Sequence, residues 1–227
     1  MAARGPELRD ARRADAGPDM TGSSAASSVT ALVRRDLARY RDASRRGGPA
    51  PSRVRVAVES LLFKAGFQAV LLHRVSHRVH RAGWTWLAWF IARINLAVTG
   101  ADIEFSARIG PGLLIAHPAA IVIGRGTVIG ADATIYQGVT CGIRSAAPGR
   151  RPEYPRIGDG VVLYAGSTLV GGIRIGDRAV VGAHALVTCD MPDGSVAEGP
   201  RAGIRDARAG AAEHGAAFED RRMRVGA

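Results

Sequence analysis

Aliphatic residues recur every six positions between residues 103 and 187, usually with a glycine or another small residue close behind. A period of six matches neither the 3.6-residue period of a helix nor the alternation of a flat strand. It is typical of a hexapeptide-repeat solenoid. The repeat positions are Ile103, Ile109, Ile115 and Ile121, then Ile123, Ile129, Ile135 and Cys141 after a two-residue slip, then Ile157, Leu163, Leu169, Ile175, Val181 and Val187.

In such a solenoid each hexad forms one short strand and a turn, and three hexads form one triangular coil. The aliphatic residue of each hexad points into the prism, and the coils stack at about 4.8 Å, the ordinary spacing between strands. A β-sandwich would need polar and apolar residues to alternate along strands between regularly spaced turns, and this pattern is absent. The sequence therefore predicts a three-sided solenoid over residues 101–200.

An α-helical domain is predicted over residues 28–100, before the solenoid. Residues 1–27 lack periodicity and are expected to be disordered, and residues 201–227 are expected to form a C-terminal tail, frayed or disordered. Gly47, Gly48, Gly83 and Gly100 punctuate the helical region. The predicted helices run from Ser28 or Thr30 to about Arg46, from Val54 to Phe63, from Phe67 to Arg81 and from Trp84 to Val98.

The formal net charge of +11 raises the question of a nucleic-acid partner. Residues 1–100 hold 17 of the 31 basic residues against 7 acidic ones, so the excess lies outside the solenoid. No recognition motif accompanies it, which favours solvated helix faces and no nucleic-acid partner. Only two cysteines occur, and no apolar run is long enough to span a membrane, so a cytoplasmic protein is expected.

Three histidines, His73, His77 and His80, fall on one face of a predicted helix. Histidines four residues apart on a helix can bind a metal ion. No carboxylate or cysteine lies near them, and Arg74 and Arg78 add positive charge to the same helix. A structural or interface role is favoured, and no metal is predicted.

His117 is the candidate catalytic residue of the solenoid, because it lies two positions after the inward-facing Ile115, where a side chain can reach a corner of the prism. Asp102 precedes it by fifteen residues and falls on the adjacent layer. A carboxylate that holds one imidazole nitrogen leaves the other free as a general base. The alternative is a surface histidine and an aspartate that merely begins the first coil.

These residues resemble the serine O-acetyltransferase family of hexapeptide acyltransferases, which fold as a left-handed parallel β-helix after an α-helical domain. The resemblance covers roughly residues 55–204. Its motifs are Leu72-His73-Arg74-Val75, Asp102-Ile103, His117, Ile121-Val122-Ile123-Gly124, Gln137-Gly138-Val139-Thr140 and Val196-Ala197-Glu198-Gly199-Pro200.

The resemblance implies a mainly β enzyme of cysteine biosynthesis, a homotrimer or a dimer of trimers, that transfers acetyl from acetyl-CoA to the hydroxyl of L-serine or a related small acceptor. His117, paired with Asp102, would deprotonate that hydroxyl, and backbone N–H groups would stabilise the thioester oxygen. The positions that match the family's CoA site are small residues, whose alternative role is tight packing at corners: Ala165, Gly166, Gly182 and Ala183.

Several positions depart from the family pattern. Ala116 replaces an aspartate that would hold the substrate amine, and Glu153 and Tyr154 replace an Arg-His pair that would bind the substrate carboxylate and position the acceptor. Tyr154 could still donate a hydrogen bond, and Arg150 or Arg151 could bind the carboxylate or the CoA phosphates, unless both are solvated loop residues. Another hydroxyl acceptor, such as homoserine, a sugar or a natural-product precursor, and a trimeric scaffold without activity remain alternatives.

His184 replaces a small residue near the expected CoA channel. His184 either contacts CoA or is simply an exposed residue at a corner, and the second interpretation is favoured. The chain ends in Arg-Val-Gly-Ala, without the C-terminal isoleucine through which members of the family commonly bind the next enzyme of cysteine synthesis. That complex is not predicted.

Overall fold

A computed structural model of the chain describes residues 28–44, 52–144 and 152–202. Four helices precede all of the described strands. They are α1 (Val29–Ala43), α2 (Arg53–Phe63), α3 (Ala65–Arg81) and α4 (Thr85–Thr99). The expectations for residues 1–27, and for the tail beyond residue 202, lie outside the described residues.

The helices begin and end at residues suited to these positions. Ser28 and Ser52 are the N-caps of α1 and α2, and each side-chain oxygen accepts a hydrogen bond from the backbone N–H three residues further on. Gly100, with a left-handed φ of 76°, ends α4. The described segments contain no single helix long and apolar enough to cross a membrane. Val54–Phe63 and Ala65–Arg81 reach that length and composition only together, and they are bent by 89°.

Short strands of two or three residues make up the rest of the described chain. They are β1 (Asp102–Ile103), β2 (Arg108–Ile109), β3 (Leu114–Ile115), β4 (Val122–Ile123), β5 (Val128–Ile129), β6 (Thr134–Ile135), β7 (Thr140–Gly142), β8 (Arg156–Ile157), β9 (Val162–Leu163), β10 (Thr168–Val170), β11 (Arg174–Ile175), β12 (Val180–Val181), β13 (Leu186–Val187) and β14 (Val196–Ala197).

The strands form three parallel sheets, and consecutive strands lie in different sheets. Sheet 1 has the order β1-β4-β7-β10-β13, sheet 2 the order β2-β5-β8-β11, and sheet 3 the order β3-β6-β9-β12-β14. Because most strands pair with the strand three places further along the chain, the backbone winds as a three-sided coil. This is the left-handed parallel β-helix that the sequence predicted.

Two corner columns of this coil matter for the site. Edge A comprises the corners that lead from sheet 3 to sheet 1, residues 116–121, 136–139, 164–167 and 182–185. Edge B comprises the described corners that lead from sheet 1 to sheet 2, residues 104–107, 124–127, 143–144 with 152–155, and 171–173. The two edges therefore border sheet 1 on opposite sides.

The repeat positions form the core. Ile103, Ile123, Cys141, Leu169 and Val187 succeed one another down sheet 1, and all are buried. Burying one aliphatic side chain of this size contributes about 1.5–3 kcal/mol. The periodicity of the sequence therefore specifies the interior of the solenoid.

The first coil is longer than the sequence pattern suggested. Asp102 pairs with Val122, a step of 20 residues, whereas Val122 pairs with Thr140, a step of 18. The additional residues lie in the first corner of edge A, which contains His117. This location explains the two-residue slip of the repeat after Ile121.

A buried ion pair joins the helices to the first coil. Arg74 of α3 donates to both carboxylate oxygens of Asp36 in α1, at 3.0 and 3.1 Å. Asp36 Oδ1 also accepts from the backbone N–H groups of Gly112 and Leu113. Both side chains are buried, so the pair fixes the position of the helices on the solenoid.

Candidate active site

His117 lies in the first corner of edge A, directly after β3, and it is exposed. The backbone on both sides is fixed by the coil: the N–H of Ala116 donates to the carbonyl of Ile135, and that of Ala120 donates to the carbonyl of Gly100. Ala120 adopts a left-handed φ of 57°. A rigid corner therefore presents the imidazole to solvent, as expected for a residue that meets a diffusing substrate.

Asp102 begins β1, next to the buried Ile103, and its carboxylate is about half exposed on the outer face of sheet 1. Its Oδ1 accepts a hydrogen bond of 3.1 Å from Nη2 of Arg93 in α4. Among the residues that the structure describes, no hydrogen bond joins Asp102 to His117. Arg93 is the lone charged residue of an otherwise neutral helix, and its contact with Asp102 was not predicted from the sequence.

The four positions matched to CoA lie on the same edge as His117. Ala165 and Gly166 form the corner after β9, and Gly182 and Ala183 form the corner after β12. They are two and three coils beyond the His117 corner, or about 10–14 Å along the axis at the usual strand spacing. A line of small residues therefore runs along edge A away from the imidazole.

Two tyrosines and one histidine flank this line, and only the histidine was singled out from the sequence. The rings of Tyr136 and Tyr164 stack with centroids 5.2 Å apart. The ring of His184 covers Gly166, because a Cβ added to that glycine would lie 2.5 Å from His184 Nδ1. Edge A thus combines small residues with flat aromatic surfaces.

Tyr154 lies on edge B. Its ring covers Gly124 and Gly126, so that a Cβ added to either glycine would lie within 2.6 Å of a ring atom. Glu153 is exposed and contacts Gly172, also on edge B. Within one chain, Tyr154 and His117 are therefore on opposite sides of sheet 1. Arg150 and Arg151 lie outside the described residues.

Of the histidines of α3, His73 is buried, whereas His77 and His80 are partly buried. Burial lowers the pKa of His73 well below its usual value of 6.5, and the neighbouring Arg74 and His77 act in the same direction. Burial also lowers the pKa of His77, whose Nδ1 is 2.8 Å from the carbonyl oxygen of Phe105. His80 packs against the Phe105 ring. No cluster of metal-binding residues occurs among the residues that the structure describes.

This arrangement suits proton abstraction beside an extended ligand. An exposed imidazole can take a proton from a hydroxyl group. Ala165, Gly182 and Ala183 are small and at least partly exposed, so there is room for a long, narrow molecule along this edge. Backbone N–H groups are a common means of stabilising the negative charge that develops in acyl transfer. Edge A therefore has the elements of a site for acyl transfer from an extended thioester.

The family model "Bacterial transferase hexapeptide (six repeats)" matches residues 154–189. Serine acetyltransferase of Helicobacter pylori (strain ATCC 700392 / 26695) is 40% identical over 144 residues, which are 63% of this chain and 83% of the relative.

Solved structures agree with the sequence comparison. Serine acetyltransferase from Brucella abortus strain S19, in complex with coenzyme A, has a TM-score of 0.67 and 25% identity, over 77% of this chain and 66% of that one. Soybean serine acetyltransferase complexed with serine has a TM-score of 0.64 and 34% identity, over 77% of this chain and 70% of that one.

Proposed function

This chain belongs to the serine acetyltransferase family, and we propose that His117, assisted by Asp102, is the general base of its reaction. The enzyme transfers the acetyl group of acetyl-CoA to the hydroxyl of serine. The observation that supports the assignment is the exposed His117 on the same edge as the small residues Ala165, Gly166, Gly182 and Ala183.

The proposed chemistry is a direct transfer. His117 takes the proton of the serine hydroxyl while the hydroxyl oxygen attacks the thioester carbonyl of acetyl-CoA. The resulting oxyanion is stabilised by backbone N–H groups, which typically contribute about 3–4 kcal/mol to such transition states. When the carbon–sulfur bond breaks, the protonated imidazole returns its proton to the departing CoA thiolate. The products are O-acetylserine and free CoA.

Acetyl-CoA would lie along edge A. Gly182 also meets a packing requirement of the fold, because a Cβ there would lie 2.9 Å from the carbonyl oxygen of Ala197 in the next coil. An arm bound against Ala165, Gly166, Gly182 and Ala183 would bring its thioester towards the first corner, where His117 lies. This direction follows from the order of the coils along the edge.

The acceptor site would combine residues of neighbouring copies of the chain. Tyr154 lies on edge B, whereas His117 lies on edge A. Arg150 and Arg151 precede Tyr154 closely in the sequence. A homotrimer that sets edge A of one copy beside edge B of the next unites them in one site. Tyr154 would then hydrogen-bond the acceptor, and Arg150 or Arg151 would bind its carboxylate.

Further assembly into a dimer of trimers is supported by α4. Its buried face carries the small Ala88 and Ala92 together with Asn95 and Thr99, while its large apolar residues face outward. Trp86, Trp89, Phe90, Ile94 and Val98 are all between 38% and 68% exposed. An apolar stripe of this size is typical of a protein interface.

The test of this proposal is the release of free thiol from acetyl-CoA with L-serine as acceptor. We expect turnover with serine, and His117→Ala should lower kcat by about 10²–10⁴-fold, the usual effect of removing a general base. His80→Ala, which changes a histidine packed on Phe105, is the matched control and should retain activity.

Homoserine and simple sugars are the competing acceptors, because Ala116 and Glu153 stand where the family has residues that would hold the amine and the carboxylate of serine. Faster turnover of either would reassign the acceptor and leave the base unchanged. An unchanged rate in His117→Ala would remove His117 from the mechanism. No turnover with any of these acceptors would favour the alternative of a trimeric scaffold without activity.

A further inference from the structure

Arg93 is the single charged side chain of α4, a helix that is otherwise apolar or neutral from Thr85 to Thr99. It lies within the exposed apolar stripe of that helix, between Phe90 and Ile94. A lone guanidinium in such surroundings needs an anionic partner if the stripe is covered by another chain. The partner that the structure gives it is Asp102.

The contact is specific among the elements that pack against β1. Nη2 of Arg93 donates to Oδ1 of Asp102 at 3.1 Å. The strand β4, which pairs with β1, contributes Val122 and Ile123 and no charge. The next acidic residue of the chain, Glu104, has its own partner, Arg125, at 3.8 Å. Arg93 is therefore the cation that contacts Asp102 in the described residues.

We propose that Arg93 is a positioning residue, which holds Oδ1 of Asp102 so that Oδ2 is directed to the imidazole of His117. The inference rests on the proposed role of His117 and Asp102 as base and supporting carboxylate. A carboxylate has two oxygens, and a guanidinium that binds one of them fixes the rotation of the group. Arg93 acts through Asp102 and does not touch the substrate.

The charge of Arg93 should affect the pH dependence of turnover. Arg93 balances part of the negative charge of Asp102, so the carboxylate stabilises the protonated imidazole less than it would alone. Without Arg93 the charge of Asp102 would be unbalanced, and we expect the acidic limb of the pH profile to move to higher pH. The carboxylate would also lose a fixed orientation.

The experiment compares pH profiles of kcat/KM for the wild type, Arg93→Met, Arg93→Lys, Asp102→Asn and the double variant of Arg93→Met with Asp102→Asn. Arg93→Met should shift the acidic limb of the profile, where kcat/KM falls as the pH decreases, to higher pH by about 0.5 unit. The shift is small because a partly exposed ion pair has a limited effect. It should also lower kcat about threefold to tenfold, with an unchanged KM for acetyl-CoA. Arg93→Lys should restore most of the profile.

The double variant separates action through Asp102 from a general charge effect. It should have the same acidic limb as Asp102→Asn alone, because Arg93 has nothing left to orient. Arg125→Met is the matched control, since it removes an equal charge from the Glu104 pair nearby. An unmoved limb in Arg93→Met, or an equal shift in the Asp102→Asn background, would overturn the proposal.

A readout without turnover keeps this inference distinct from the proposed function. The His117 ring resonances, assigned by their loss in His117→Ala, can be followed by NMR as the pH changes. If the midpoint of the His117 titration moves in both Arg93→Met and Asp102→Asn, the coupling is supported. This holds even if His117→Ala is active, a result that would contradict only the role of His117 as general base. Midpoints that stay unchanged in both variants contradict the coupling itself.

Discussion

The corners of edge A turn through the left-handed region at Gly138, Gly166 and His184, with φ of 70°, 69° and 58°. Glycine adopts this conformation freely, whereas other residues do so at a cost of roughly 1–2 kcal/mol. Gly166 has a second constraint, since the His184 ring occupies the space where a Cβ would lie. One residue therefore meets a backbone requirement and a packing requirement at a position proposed to bind CoA.

Gly166→Ala tests both requirements. We expect the free energy of unfolding to fall by about 2–4 kcal/mol, because the methyl group is strained at this φ and displaces the His184 ring. KM for acetyl-CoA should rise as the ring moves. Denaturant unfolding and steady-state kinetics give the two values. Gly83→Ala is the control, with a φ of 92° and open space around the added carbon, so only the backbone cost should appear. Equal losses of unfolding free energy in Gly166→Ala and Gly83→Ala would show that the His184 ring moves aside without a cost in stability.

For the helices and strands, the sequence predicted those features that depend on the local pattern of residues. The six-residue period identified the core positions, and Ser28 and Gly100 marked where helices begin and end. Contacts between elements were not predictable, because the period does not determine how α1, α3 and α4 dock on the first coil. The pairs Asp36 with Arg74 and Asp102 with Arg93 both depend on this docking, and they join residues 38 and 9 positions apart.

Helix α3 should make the stability of the fold depend on pH. His73 is buried with a lowered pKa, and its Nδ1 has no hydrogen-bond partner among the described residues. The unfolded chain binds a proton near pH 6.5, and the folded chain does so only at lower pH. The stabilisation is therefore complete above about pH 6.5 and is lost as the pH falls below it, by at most about 1.4 kcal/mol per pH unit for each such histidine.

Unfolding by urea between pH 7.5 and 5.5 measures this dependence. The wild type should lose stability as the pH falls, and His73→Leu should have a flatter profile because it removes the more deeply buried of the two perturbed groups. His77, half-buried with a lowered pKa, accounts for the slope that remains. Identical slopes in the wild type and in His73→Leu would mean that His73 is not protonated on unfolding in this range.

For the whole molecule, the main question is how two edges on opposite sides of sheet 1 serve one reaction. His117 and the small residues of the proposed CoA site are on edge A, and Tyr154 packs on Gly124 and Gly126 of edge B. The rigid stack of coils between the edges cannot bring them together within one copy. A cyclic trimer can, because each copy then offers edge A to one neighbour and edge B to the other.

Mixed assemblies test this arrangement directly. His117→Ala and Tyr154→Leu should each be nearly inactive alone, yet equal co-expression of the two should restore activity to about a quarter of the wild-type level. The reason is that, in a random cyclic trimer, one site in about four would combine an intact His117 from one copy with an intact Tyr154 from the next. Thiol release from acetyl-CoA measures the recovery. The control is the same pair of variants purified separately and then mixed, which keeps each assembly pure and should stay inactive. A site contained within one chain gives no recovery in either sample, because every chain then carries one of the two defects.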